Sequence, residues 1–393
     1  MLNRRTPYYY YINNKVLGAV DNSRRPAACP RDPVRSNSMH QACALIRISG
    51  SRGQAAGRRV SEGEMSTAPS IRSINMNAVQ LSLSYDVEKM KADLAVVEQF
   101  WKRHRSYESP TEFTVKKDDA WVIIGLISPG GDLDRTDPGG PGLFEYKETI
   151  ALDETPYFRA ILDELTNQYG AVLTCVRFSG LNPGASIHEH CDVGFDFRFS
   201  KIRLHIPIIV DPQIEFIVGG DKIHMTPGHL WYANFSLPHR LHNPSTVRRV
   251  HLIIDVVIGD QILSVFPKEM IAAIGKDNIL ISRKKHHVSK LALKNYECDF
   301  SFHFILMERV LGLPKNLTTF IAKIRLQDDQ LILNLNDEPY LALVPVSDTD
   351  FYFLGGNETY YMTFSLKNDV VEKVSIVLKE GKLKTLIELP LIQ

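Results

Sequence analysis

The chain has 393 residues, 44% of them hydrophobic and 23% charged. That length and mix suit a soluble globular protein of two or three domains. Lys and Arg number 46 against 45 Asp and Glu, so charge makes no case for nucleic acid or an anionic membrane as partner. No apolar run approaches the roughly 18 residues of a membrane-spanning helix. The five cysteines form no CxxC pair, which favours a reducing compartment over a disulfide framework and places the protein in the cytoplasm as an expectation.

In chain order, residues 1–64 stand apart. They carry eleven Lys and Arg against four acids and a run from Tyr8 to Tyr11. Residues 1–75 are therefore expected to be a disordered or artefactual extension. An Arg-rich, acid-poor mitochondrial transit segment is the alternative. Ordered structure is expected from about Val79, and a domain is assigned to 76–262. Its first part reads as a strand and then a helix, with Met90, Leu94, Val97 and Phe100 at helical spacing. DAWVIIGLIS follows as a buried strand. GGDLDRTDPGGPG (130–142) is a loop that could shape an active-site entrance or be plain surface. TPYFRAILDELTNQYG is an amphipathic helix that Gly170 is placed to end.

From Ala171 to Ile258, β-branched and aromatic runs alternate with Gly, Pro, Asn and Asp. Short strands at this spacing predict a sandwich or jelly roll, so the fold class is mainly β with flanking helices. Residues 263–393 are assigned to a helical linker and a C-terminal antiparallel β domain of unknown role. SRKKHH (282–287) reads as an exposed basic linker, and a meander of strands runs from Leu317.

The chemistry concentrates between His188 and Asp255: HEHCD, RLHIPI, HRLHN and RRVHLIID. His190 and Asp192 stand two apart, and His239 follows 47 residues after Asp192. Two imidazoles and one carboxylate that leave open positions are the ligand set of non-haem Fe(II) oxygenases. Strand alternation puts His188 on the same face as His190, so either could supply the first ligand. Arg249, ten past His239, suits the distal carboxylate of 2-oxoglutarate, because a guanidinium offers a bidentate fork and stays charged when buried. Its neighbour Arg248 should face the other way, toward solvent. His251 and Asp255 share the inward face with Arg249. Asn243 is either a partner that orients an imidazole or a turn residue before Pro244. His224, His229 and Trp231 read as structural more readily than as pocket residues. Cys191, between two proposed ligands, reads as a small side chain on a strand.

The pieces FSGLNPG, HEHCD, RLHIPI, PGHLWYANFSLPHRLHN and RRVHLIID resemble the aspartyl/asparaginyl β-hydroxylase family of 2-oxoglutarate oxygenases. The resemblance covers about 171–258 and implies a double-stranded β-helix, a cupin-like jelly roll, with Fe(II) at one end. It implies His190 and His239 as the iron histidines and Arg249 with Ser179 at the distal carboxylate of 2-oxoglutarate. Arg203 and His205 match the pair near the co-substrate's other end. Animal peptidyl-aspartate members lack the carboxylate ligand, whereas this chain has Asp192, as many bacterial members do. The expected cofactors are Fe(II), 2-oxoglutarate as co-substrate and O2, with ascorbate supportive. The expected substrate is a small amino acid or a residue in a peptide or protein, with Asp or Asn β-hydroxylation first. Hydroxylation of free proline or another free amino acid is the alternative, and a non-catalytic cupin-like binding protein is the rival outside catalysis. The C-terminal segment EPYLALVPVSDTDFYF resembles accessory β domains appended to serine β-lactamase-like hydrolases, which implies only a small barrel or sandwich.

Overall fold

The computed structural model describes residues 76–103, 120–135, 140–192, 194–303 and 319–392. The proposed N-terminal extension lies outside the described residues. The first element is strand β1 (Ala78–Ser84), followed by helix α1 (Val87–Val96). Met90, Leu94 and Val97 are buried and Phe100 is half-buried in a short turn past the helix, as the apolar spacing requires. Strands β2 (Lys102–Arg103), β3 (Trp121–Pro129) and β4 (Tyr146–Glu148) follow, then helices α2 (Ile150–Asp153) and α3 (Pro156–Asn167).

Eight strands then form the jelly roll: β5 (Val172–Leu181), β6 (Ser186–His190), β7 (Lys201–Ile209), β8 (Glu215–Val218), β9 (Asp221–Lys222), β10 (His229–Ala233), β11 (His239–His242) and β12 (Arg249–Val257). The chain passes back and forth between two sheets. The larger has the order β1-β10-β7-β12-β5-β3-β2, with β4 beside β3, and the smaller is β6-β11-β8-β9. This interleaving is the jelly roll that the strand spacing allowed and the double-stranded β-helix that the family resemblance implied. It also explains the near-continuous burial of β5, β7 and β12. Helix α3 covers the outer face, where Phe158 meets Phe178 edge-on at 4.7 Å. The inner face closes on the smaller sheet around Leu181, Ile187, Phe216, Val218 and Leu241.

Strand alternation sorts the polar residues onto that inner face. Register pairs His251 with Ser179, Asp255 with Arg203, and Trp231 with His205. The Pro183-Gly184 turn before β6 has Gly184 at φ +73°, a conformation glycine adopts without steric cost. Its amide donates to the Asn243 carbonyl at 2.7 Å, tying the entry of β6 to the exit of β11.

After helices α4 (Lys268–Ile274) and α5 (Lys290–Leu293) comes a separate sheet of eight strands, each paired with the next. These are β13 (Cys298–His303), β14 (Thr319–Gln327), β15 (Gln330–Leu335), β16 (Glu338–Pro345), β17 (Asp350–Phe353), β18 (Tyr360–Lys367), β19 (Val370–Glu380) and β20 (Leu383–Leu389). The sheet thus opens at Cys298, ahead of the meander read from Leu317. Two hairpins turn on Asn336-Asp337 and Asn368-Asp369, each with both residues at positive φ, the two-residue turn that matches strand twist. Residues 282–287 are not a free linker. Arg283 bonds Glu358 and Asp350, each at 2.6 Å, and the His286 amide donates to the Pro345 carbonyl at 2.8 Å. Acidic partners far along the chain, Asp350 on β17 and Glu358 in the turn before β18, decide this, and the local basic run gives no sign of them.

Candidate active site

His190 ends β6, Asp192 follows two residues on, and His239 opens β11. Antiparallel register sets His239 directly opposite His190, and their ring centroids lie 4.1 Å apart. The ligand atoms of the three side chains all lie within 4.8 Å of one another. His190 Nε2 is 3.6 Å from Asp192 Oδ1, and His239 Nε2 is 4.0 Å from Asp192 Oδ2. Each imidazole sets its Nδ1 against a carbonyl two residues back: His188 O at 2.8 Å and Leu237 O at 2.9 Å. A carbonyl only accepts, so Nδ1 carries the proton and Nε2 carries the lone pair, the tautomer that a metal-binding imidazole uses. Burial, opposed by Asp192, pushes His239 down to about 4. For Asp192 burial alone would act upward, but Arg203, His239 and His190 outweigh it and hold the carboxyl at about 2. A neutral His239 and an ionised Asp192 are states a divalent cation requires of its ligands, so the donor set fits the implied iron. The close-set group holds His190 and not His188, which is exposed.

Arg203, expected near the co-substrate, bonds two carboxylates. Its Nε and Nη2 donate to Asp255 Oδ1 and Oδ2 at 2.6 and 3.0 Å, and its Nη1 donates to Asp192 Oδ2. Burial would raise the Asp255 carboxyl, but Arg203 and Arg177 outweigh it and hold it below the usual carboxylate range. The Phe195 ring lies 4.2 Å from the Arg203 guanidinium.

Farther along the inner face, Arg249 Nη2 lies 3.0 Å from His251 Nδ1, which lies 3.2 Å from His205 Nδ1. A guanidinium only donates, so His251 Nδ1 accepts. Burial drives both histidines well below their ordinary range and leaves them neutral. Arg249 is buried, and burial alone draws it down to about 9. No carboxylate bonds to it among the described residues, where its hydrogen-bond partner is the neutral His251. Ser179 stands opposite His251, and its Oγ accepts from Trp121 Nε1 at 2.7 Å, which leaves its own proton to donate. His205 Nε2 and Trp231 Nε1 are buried without a partner, on cross-strand neighbours. Phe235 stacks on His205 at 4.9 Å and meets His239 edge-on at 4.9 Å. A buried cation without a counter-charge, beside a hydroxyl and unpartnered polar atoms, fits a dicarboxylate such as 2-oxoglutarate.

Residues 85–258 match the family model described as aspartyl/asparaginyl beta-hydroxylase. This segment is a domain of that family. It makes the chain a 2-oxoglutarate-dependent hydroxylase. No curated protein matches the chain. Among solved structures, the hydroxylase is similar to a 2OG-Fe(II) oxygenase-family oxidoreductase from Burkholderia pseudomallei. That likeness has 9% identity, covers 57% of this chain and 93% of the other, and has a TM-score of 0.30. A Pseudomonas putida prolyl-4-hydroxylase shares 17% identity over 46% of this chain and 92% of its own, with a TM-score of 0.28. A Trichoplax adhaerens prolyl hydroxylase, solved with a hypoxia inducible factor peptide, shares 10% over 49% and 88%, with a TM-score of 0.31.

The hydroxylase fold gathers Ser179, His205 and Arg249 onto one inner face and His190, Asp192 and His239 onto one rim. Other expected residues lie elsewhere. Asn243 is fully buried, but its side chain donates to Leu181 O and Val247 O at 2.9 and 2.8 Å and accepts from Ser245 Oγ at 2.6 Å. It shapes the loop leading into Arg249 and touches no imidazole through these bonds. His224 is exposed, and His229 Nδ1 sits 3.2 Å from Gln80 Nε2. Arg248 takes the outer face, where its Nε donates to Asn182 Oδ1 at 2.6 Å. The sequence reading missed Arg177, Phe195, Phe235 and Trp121. Arg177 was findable, since it sits two residues before Ser179 on one strand face. The aromatics gave no local signal.

Proposed function

We propose that this chain is an Fe(II)- and 2-oxoglutarate-dependent hydroxylase that takes an amino acid or an amino-acid residue as substrate, with the β-carbon of Asp or Asn first. The supporting observation is the pairing of the His190–Asp192–His239 group with a buried Arg249 that bonds no carboxylate among the described residues, both inside one jelly roll. His190, Asp192 and His239 would hold the ion, and Arg249 with Ser179 would hold the distal carboxylate of 2-oxoglutarate. Bound there, iron and 2-oxoglutarate supply the oxidative decarboxylation with O2 that drives hydroxylation of an unactivated C–H bond. The chain's own part is orientation. The two backbone carbonyls fix the imidazole tautomers, Trp121 directs the Ser179 proton away from itself, and Phe235 walls the space between His205 and His239.

Asp192 favours a second reading, a free amino acid such as proline, because the peptidyl-aspartate members that motivate the first lack this carboxylate. Succinate release measured across free amino acids and peptides, with mass spectrometry for one added oxygen atom, separates the two. Ascorbate is included as a supportive additive. A protein that binds the ion but releases no succinate with any candidate would favour the cupin-like binding role instead.

A further inference from the structure

We infer that Asp255 is a positioning residue: it holds Arg203 against Asp192 and so selects the carboxylate oxygen that faces the metal. The inference rests on the metal site proposed above. Asp255 lies six residues past Arg249 on β12 and is fully buried. It takes the Nε and Nη2 edge of Arg203 in a two-point grip at 2.6 and 3.0 Å. That grip aims the remaining nitrogen, Nη1, at Asp192 Oδ2. Phe195 at 4.2 Å and Phe235 at 5.6 Å flank the guanidinium. Arg177 Nη1 adds a second cation 3.4 Å from Asp255 Oδ2.

The consequence falls on Asp192. With Oδ2 bonded to Arg203, Oδ1 is left for the ion, 3.6 Å from His190 Nε2. A carboxylate held this way binds through one oxygen and leaves a coordination position for co-substrate or O2. Asp255 also neutralises its surroundings. Arg177, Lys201 and Arg203 are all buried here, and without Asp255 their charge would fall on Asp192 and compete with the metal for it. Partners that orient a ligand in this way commonly change metal affinity 10–100-fold when removed, on the order found for metal-site partners generally.

The test measures Mn(II) affinity by calorimetry and the visible spectrum of the Co(II)-loaded full chain, with no turnover required. Asp255→Asn should bind Mn(II) about 10–100-fold more weakly and shift the Co(II) bands toward a different coordination number. Phe158→Leu, beneath β5 and away from the ligands, serves as a control that lowers the melting temperature and leaves both readouts alone. If Asp255→Asn behaves like that control, the residue only stabilises the fold and the inference is wrong. Should the single variant fail to fold, the double variant Arg203→Gln with Asp255→Asn removes both buried charges together. It is expected to show the same weakening, and wild-type affinity in it would overturn the inference. If the wild-type chain and His239→Ala bind Mn(II) equally poorly, the metal reading itself fails and this inference with it. Tight wild-type binding that Asp255→Asn retains refutes only the role of Asp255.

Discussion

Arg249 is the residue whose state most needs an explanation, because a buried guanidinium without a counter-charge is unfavourable until a ligand supplies one. Breaking a buried charge pair costs about 3–5 kcal/mol. Arg249→Ala should therefore raise the half-saturating 2-oxoglutarate concentration at least about a hundredfold, at about 1.4 kcal/mol per decade. Mn(II) affinity should hardly change, since the guanidinium is not a ligand. Titrating 2-oxoglutarate against succinate checks this, and an unchanged half-saturation point would hand that carboxylate to another base. His239→Ala should remain folded by circular dichroism and lose Mn(II) binding; retained binding would remove His239 from the ligand set. His205 and His251 add a pH dependence. Both are buried neutral, with folded-state pKa values that burial drives well below the ordinary 6.5. The unfolded chain takes up those protons first as pH falls. Stability should thus be full above about pH 6.5 and decline below it, by up to about 1.4 kcal/mol per pH unit for each histidine. Urea midpoints of the metal-free protein from pH 8 to pH 5 would show it, and a flat profile would mean that these histidines are not buried neutral.

Among the elements, α3 shows how packing supplies what a local cap does not. Thr155 precedes the helix but makes no side-chain cap bond. Asp93, from α1, accepts instead from the amides of Tyr157 and Phe158 at 2.7 and 3.2 Å. Asp93→Ala should lower folding stability by about 1–2 kcal/mol in chemical denaturation, the usual range for a lost cap. A change near zero would mean that water replaces the carboxylate at these amides. The end of the same helix was legible locally. Gly170 sits at φ +59°, and a Cβ there would lie 2.2 Å from Gln261 Oε1, so both backbone conformation and space call for glycine.

In the whole molecule, the C-terminal sheet bonds to the hydroxylase domain at the turn that precedes β7. The turn Phe197–Phe199 lies between Asp192 and β7. Arg198 bonds Glu380 at 3.0 Å, the Gly381 amide donates to Arg198 O at 3.0 Å, and Thr359 Oγ1 donates to Phe199 O. The loop read as a possible entrance is held too: Gly142 exchanges backbone bonds with Leu354 and Ala342, at 2.9 and 3.0 Å. A chain ended at residue 262 would leave these groups without partners. It should give less soluble protein and weaker Mn(II) binding. A truncated protein that binds Mn(II) as tightly as the full chain would show that the sheet contributes nothing to the site.

Residue type and spacing by themselves predicted a sandwich or jelly roll and pointed to the side chains that carry its chemistry. Period-two alternation sends Arg249, His251 and Asp255 to one face, and the HxD with a distant His identifies the ligand chemistry, because both depend only on local geometry and side-chain type. Tertiary structure decided what depends on partners far along the chain. Cross-strand register set His190 against His239 and left His188 exposed. The carboxylates of Asp255 and Asp192 came within hydrogen-bond reach of Arg203, and Asn243 bonded within its own loop. The basic run at 282–287 became an anchored segment because Asp350 and Glu358, far along the chain, bond Arg283. Side-chain identity shows what a group can bond, but only the folded chain brings a competing partner within reach and determines which bond forms.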